Sequence, residues 1–305
     1  MGKFLVAGVV QRETIVKVDN IPIGYMGITE RPNTIFTSTG GDAYNESLAL
    51  KWLGNSVDLM SMVGEGESMD LVNPPGCEVE LVTDYVLPRL ADTPIAVLFY
   101  DENRKQQIFE DIKNLGDVPY DLALFRERAK RAEMLVVSDA NFCRPLIGIG
   151  KELRKPIAVN IREYTEEKAY FNEDFLKGGD ILYISDDRLV GDPYEFVKLL
   201  AAKYRPQIII LGQGAAGLIL YDKNKNIIAH YNTVKTHKTV NTVGAGNALF
   251  SCFLHFYNKT KDSVFAVKNA MLFASYKIGF MGTSSGFMTE EEISLWRNLI
   301  WRDGR

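Results

Sequence analysis

Residues 239–251, TVNTVGAGNALFS, set three small residues, Gly244, Ala245 and Gly246, directly before an apolar stretch with helical character. Small residues at a helix start let an anion reach backbone N–H groups that have no partner within the helix, and the helix dipole adds attraction. A tight turn with close helix packing would use the same residues. Earlier in the chain Gly40 and Gly41 precede Asp42 and Asn45 in TGGDAYNESLALKWLG. Paired glycines bring a backbone close to a ligand, while an Asp and an Asn offer acceptors and an amide to hydroxyl groups. The same two side chains could instead cap the helix that follows. A third segment, residues 211–222 (LGQGAAGLILYD), carries three glycines after an apolar run. That is a turn near a ligand at the carboxyl end of a strand, or a plain strand-turn-strand. It is neither a Walker A loop, lacking GK[ST], nor a GxGxxG.

These segments need elements to hold them. Residues 3–10 (KFLVAGVV) read as a buried strand, and residues 14–18 (TIVKV) alternate as a half-exposed one. Residues 34–38 and 94–100 (PIAVLFY) are further strands. The second turns through Asp101, Glu102 and Asn103 into residues 105–109, as a hairpin would. From Asn45 the apolar residues fall at helical spacing, with Gly54 as the stop. Beyond residue 115 the pattern turns regular: strands at 134–138, 156–160, 180–184 and 207–211 alternate with helical stretches. Alternation of this kind predicts βαβ units and a mostly parallel sheet covered by helices on both faces. The antiparallel-looking pieces, at about 12–38 and 93–112, predict a small separate β-sheet lid. No repeat or long linker divides the chain, so residues 1–305 are expected to form a single α/β domain with that lid.

Composition removes several classes. With 35 Lys and Arg against 39 Asp and Glu, the formal charge is −4, and the basic runs are short. No nucleic-acid footprint is expected from such a surface. Three cysteines without CxxC spacing, Cys77, Cys143 and Cys252, suit free thiols in a reducing cytoplasm. The three histidines show no zinc spacing, and no apolar run reaches bilayer length, so neither a structural zinc nor a membrane partner is expected.

The order and spacing of the three glycine segments resemble one family, the ribokinase-like (PfkB-type) carbohydrate kinases. GGDAYN at 40–45 resembles the family's early GGxxxN signature. GQGAAG at 212–217 resembles its LGxxG-like turn, and NTVGAGN at 241–247 its late DTxGAGD signature. MVGEGE at 62–67, the hairpin at 93–109, VNIRE at 159–163 and residues 268–293 add smaller similarities, so the likeness spans nearly the whole chain. It implies a ribokinase-like doubly wound fold, with ATP and Mg²⁺ as cofactors and phosphotransfer to a hydroxyl of a sugar or nucleoside. It also implies site residues. Glu13, Gly40, Gly41, Asp42, Asn45 and Asn160 would bind substrate, and Gly244, Ala245 and Gly246 would form the anion hole. Gly214, Gly217 and Asn269 would lie on the nucleotide side. In this family a lid with an exposed edge often dimerises, which leaves a homodimer through the lid open.

The departures fall on acidic positions. The late signature's final residue, normally the Asp that takes the hydroxyl proton, is Asn247, and its first is Asn241. An amide can hold a hydroxyl but cannot take its proton at neutral pH. General-base catalysis is typically worth about 10²–10⁴-fold in rate. Where the family has NxxE, the chain reads Ser185–Asp186–Asp187–Arg188, leaving Asp186 or Asp187 as metal candidates at shifted spacing. Two readings therefore stand: a carbohydrate kinase impaired at its base, and a catalytically inactive binding relative. A Rossmann-type dehydrogenase would need a Gly-rich fingerprint after the first strand, and GVVQRE at 8–13 supplies none.

Overall fold

Apolar runs with few charges fold as strands buried on both faces. In the first, β1 (Lys3–Ala7), Phe4 and Val6 enter one core while Leu5 and Ala7 enter the other. Only a sheet with helices on both sides can bury successive residues of one strand in this way. The computed structural model describes residues 1–25, 27–103 and 105–301. Met26 and Arg104, which fall in the two segments expected to form the lid, and residues 302–305 lie outside the described residues.

After β1 come β2 (Gln11–Lys17), β3 (Ile35–Gly40), α1 (Asp42–Trp52), β4 (Ser56–Gly64), β5 (Val86–Leu90), β6 (Ile95–Tyr100) and β7 (Gln106–Asp111). The regular half follows: α2 (Leu122–Arg131), β8 (Met134–Ser138), α3 (Arg144–Glu152), β9 (Ile157–Ile161), α4 (Ala169–Gly178), β10 (Ile181–Ser185) and α5 (Pro193–Tyr204). The chain ends with β11 (Ile208–Gly212), β12 (Leu218–Asp222), β13 (Ile227–Tyr231), α6 (Ala245–Thr260), α7 (Ser263–Lys277) and α8 (Glu290–Ile300).

Among the described residues, nine strands form one sheet in the order β13-β12-β11-β10-β9-β8-β1-β4-β5, and four form a second in the order β3-β2-β6-β7. From β5 across to β11 the neighbours run parallel, as Phe4 opposite Met134 in β1 and β8 illustrates, and only β12 and β13 are antiparallel. One core packs α1, α6 and α7 against the sheet, and the other packs α2, α3, α4 and α5. The expected doubly wound sheet is therefore present. The small sheet joins the two expected segments: β2 pairs β3 antiparallel and β6 parallel, and β6 turns back into β7 as the expected hairpin.

Helix α1 starts at Asp42, three residues before the apolar periodicity announces it, and nine of its eleven residues are buried. Its N-cap is Gly41, at φ 96° and ψ 154°, and a Cβ there would fall 2.4 Å from the Val9 carbonyl oxygen. The turn from the lid strand β3 into α1 is thus pressed against the end of β1, and a side chain has no room. Gly54, at φ 81°, follows the other end of α1 with open space around it. Gly41→Ala should accordingly cost about 3 kcal/mol or more, whereas Gly54→Ala should cost about 1 kcal/mol, the backbone strain alone. Denaturant unfolding of the two variants beside the native chain measures the difference.

Candidate active site

β1 lies between β4 and β8, and the later strands of this sheet are placed first on one side of it, at β4 and β5, and then on the other, from β8 to β13. A switch of this kind opens a crevice at the carboxyl ends of the strands. Asp42 stands at that crevice, its Oδ1 accepting from the N–H groups of Val9 at 2.8 Å and of Ala43 at 2.7 Å. It therefore satisfies one free N–H at the start of α1, as a cap would, while its other oxygen faces the crevice without a hydrogen-bond partner.

That oxygen lies 3.6 Å from Nε of Arg162, which follows β9. The guanidinium also donates to Asp139 Oδ1 at 3.2 Å and to both Glu110 oxygens at 2.9 Å. Burial alone would pull the Arg162 guanidinium down, but the charges of Asp42, Asp139 and Glu110 outweigh it and hold the cation firmly. Asp139 is pushed up by burial, against the pull of Arg162. Since Glu110 belongs to β7, this cluster also fastens the small sheet to the large one. Gln106, on the same strand, donates to Thr242 Oγ1 just before α6.

A second polar cluster lies beneath it. Asn160 Nδ2 donates to Glu46 Oε1 at 2.7 Å and to Asn247 Oδ1 at 3.0 Å, so one amide holds α1, β9 and α6 together. Glu46 is fully buried, and burial, reinforced by the charge of Asp42, holds its carboxyl far above the ordinary carboxylate range. Its protonated form is therefore favoured over the charged one, compared with an exposed carboxyl. Buried acceptors without a hydrogen-bond partner here are Gln11 Oε1, Asn45 Oδ1 and Asn160 Oδ1, while Asp42 Oδ2 has only the longer Arg162 contact. Left so, each would carry a desolvation cost of about 1–3 kcal/mol. Together they describe a surface complementary to a guest rich in hydroxyl donors.

The turn before α6 is half-buried. Gly244 is its N-cap, at φ 77°, and no side chain caps it. Among the described residues no acceptor meets the N–H groups of Gly244, Gly246 or Asn247, whereas Ala245 N–H turns back to the Thr242 carbonyl at 3.2 Å. The free donors are thus shifted from the expected set: Asn247 joins it and Ala245 leaves it. Asn241 shapes the turn, accepting from Val243 N–H at 3.1 Å. The Tyr183 hydroxyl reaches the place where a Cβ on Gly246 would stand, within 2.6 Å, and its acidity is weakened by burial and by Asp187 and Asp186.

Glu13 sits differently from expectation. Its Oε1 accepts from Gly41 N–H at 3.0 Å and from Gln11 Nε2 at 3.1 Å, and its Oε2 accepts from Thr283 Oγ1 at 2.6 Å. The carboxylate is consumed in tying turns together, and the side chain is 4% exposed. Gly40, whose Cβ would overlap that carboxylate, is the space Glu13 occupies.

On the far side, Gly214 and Gly217 form the turn between β11 and β12, so the segment is a strand-turn-strand in shape, at a strand's carboxyl end. Asn269 is fully buried in α7 and donates to Phe265 within the same helix, so it presents no surface to a nucleotide. Asp186 accepts from Gln213 at 3.2 Å and Asp187 from Ser185 at 2.9 Å. No group of three or more His, Cys, Asp or Glu could hold a metal ion among the described residues. A Mg²⁺ carried by nucleotide phosphates takes only one or two protein carboxylates, and the Asp186–Asp187 pair beside Tyr183 fits that lesser demand.

No family model matches the sequence. A deoxyribokinase of Salmonella typhimurium is 24% identical over 277 residues, covering 85% of this chain and 88% of that protein. Among solved structures, a microbiome-derived acarbose kinase matches with a TM-score of 0.84 at 19% identity, over 96% of this chain and 98% of that one. The ribokinase of Arabidopsis thaliana, complexed with ribose and ATP, gives 0.75 at 16% identity, over 96% and 98%. A nucleoside kinase of Burkholderia thailandensis in complex with inosine gives 0.74 at 16%, over 98% and 99%. The chain has the ribokinase-like fold.

Within this site, sequence reasoning missed Glu46, Asp139, Arg162, Tyr183 and Lys277. Glu46 directly follows the signature Asn45, and Arg162 lies within VNIRE, so both stood beside segments already singled out. Because Glu46 keeps its proton in the native chain above 4.5, where the unfolded chain releases it, native stability should fall as pH rises from 4.5 through the raised value. Glu46→Gln removes that slope. Melting temperatures from pH 5 to pH 8 should show the amide variant gaining on the native chain as pH increases.

Proposed function

We propose that this chain transfers a phosphoryl group from ATP to a hydroxyl of a sugar or nucleoside, slowly for want of a carboxylate at position 247. The observation that carries this reading is a juxtaposition across Asn247. The uncapped start of α6 lies on one side, and a set of buried acceptors lacking donors lies on the other. Free N–H groups at a helix start suit phosphate oxygens, and the acceptors suit a polyhydroxy guest. The relatives agree in chemistry: by their names they are kinases of deoxyribose, acarbose and ribose and of nucleosides, one solved with ribose and ATP.

Phosphoryl transfer depends mostly on positioning and charge neutralisation, so activity can persist where base catalysis is weak. In this reading Gly244, Gly246 and Asn247 offer N–H groups to the transferred phosphoryl. Asp42, Asn45 and Asn160 hold the acceptor hydroxyls, and the Asn247 amide holds the attacking one. Asp186 and Asp187 would hold Mg²⁺, which when bound neutralises phosphate charge. Arg162, through Glu110, ties closure of the small sheet to the state of Asp42. The edge strand β7 is exposed along all six residues, which supports a homodimer through the lid. The free thiols Cys77, Cys143 and Cys252 support a cytoplasmic setting.

A second reading keeps binding and gives up turnover, and Asn247 favours it: an amide cannot accept the hydroxyl proton at neutral pH, and burial disfavours the charged, proton-accepting form of Glu46. Calorimetry with Mg²⁺-ADP should detect binding under both readings. ATP turnover across a panel of pentoses, hexoses and nucleosides then separates them. The native chain should turn over slowly, and Asn247→Asp should raise kcat by about 10²-fold or more. No turnover above background by the native chain, with gain in the variant, would establish the binding relative instead.

A further inference from the structure

Lys277 ends α7 with no exposed surface at all. Its Nζ donates to the carbonyl oxygens of Val243 and Gly282 and lies 3.4 Å from the place a Cβ on Gly244 would occupy. Val243 and Gly244 belong to the turn that carries the free N–H groups at the start of α6. From the tail, Thr283 presses on the same turn, its carbonyl oxygen 2.9 Å from that Gly244 position, while its hydroxyl donates to Glu13. Of the residues facing Nζ from the turn, from the tail and from β2, Glu13 is the one that titrates.

Burying an ammonium costs several kcal/mol, and an apolar side chain of similar length would fill the same space. The two carbonyls need N–H donors, but a neutral amine has two to give. What only the ammonium supplies is charge, at the back of a turn whose front awaits an anion. We propose that Lys277 is a positioning residue for nucleotide phosphates: its amino group braces the 243–246 turn from behind, adds positive potential to the α6 N-terminus in its charged form, and takes up a proton more fully when a polyphosphate binds. This rests on the kinase reading of the turn.

Burial pulls Lys277 down to about 7, with Glu13 opposing the fall, so in the empty protein the charge is partly lost just above neutrality. A bound polyphosphate favours the charged form, and one proton then passes from solvent to Nζ. The direction is opposite to that of stability. The unfolded chain holds this proton up to about 10.5, so stability rises with pH between about 7 and 10.5, while nucleotide affinity falls.

The test is calorimetric titration of Mg²⁺-ADP into the native chain at pH 8, in buffers of low and high ionisation enthalpy, repeated with Lys277→Met. The native chain should take up a sizeable fraction of a proton per ADP and bind more weakly as pH rises from 7 to 9. Lys277→Met should bind about tenfold more weakly at pH 7, take up none, and show a flat affinity over that range. Native binding without proton uptake overturns the proposal and leaves the kinase reading standing, even if the variant fails to fold. Uptake that persists in Lys277→Met overturns it as well. Absence of ADP binding by the native chain overturns both.

Discussion

The Glu13 carboxylate couples the two ends of the site. One oxygen accepts from the Gly41 N–H at the start of α1, and the other from Thr283, whose backbone leans on the turn before α6. Two helix starts that would otherwise be set independently, by different crossovers of the large sheet, are thereby held in register through one lid-strand side chain. The constraint reaches the backbone. Gly40 must lack a side chain because the carboxylate occupies that space, and Gly41 must lack one because β1 ends against it. Charge-assisted hydrogen bonds of this kind are stronger than neutral ones, and inside a closed core they are hard to replace.

Around that frame the electrostatics divide in two. The Asp42, Asp139 and Glu110 carboxylates share one guanidinium, and the sharing spans both sheets, so movement of the lid must rearrange charge at the crevice. Below it, the Asn160 amide donates to Glu46 and Asn247, while the side-chain oxygens of Asn45 and Asn160 meet no donor. Native cores rarely leave acceptors unmet, and a concentration of them at a sheet's switch point is the mark of a surface completed by something bound.

Much of the scaffold was legible because its signals are local. Runs such as MLVVS and QIIIL are strands by their own composition, and the hairpin at 93–109 shows itself in its turn residues. Gly244 and Gly41 mark helix starts by the conformations they alone tolerate. The polar interior was not legible in the same way, since Glu46 is met by Asn160, 114 residues away, and Lys277 by the turn carbonyls of Val243 and Gly282. Lys277 sits in an apolar helical stretch where a snorkelling lysine would look identical in sequence. Asp42 and Glu13 were read as facing a guest. Asp42 keeps one oxygen free to do so, but Glu13 spends both on the protein, a distinction that depends on where Thr283 falls in space.

Glu46 and Asn247 are best understood as a pair. Both accept from the same Asn160 amide, so their oxygens lie close together, Glu46 fully buried and Asn247 half-buried. Two ionised carboxylates there would repel strongly, and one of them would be driven to keep a proton. Burial already does this to Glu46, which leaves room for a single charge at position 247. An aspartate at that position would meet a neutral neighbour and an amide donor, conditions under which it could ionise and accept a proton from a bound hydroxyl. The neutral Asn247 is therefore not forced by its surroundings: the site around it can hold the missing charge, with the Asn160 amide already oriented to stabilise it.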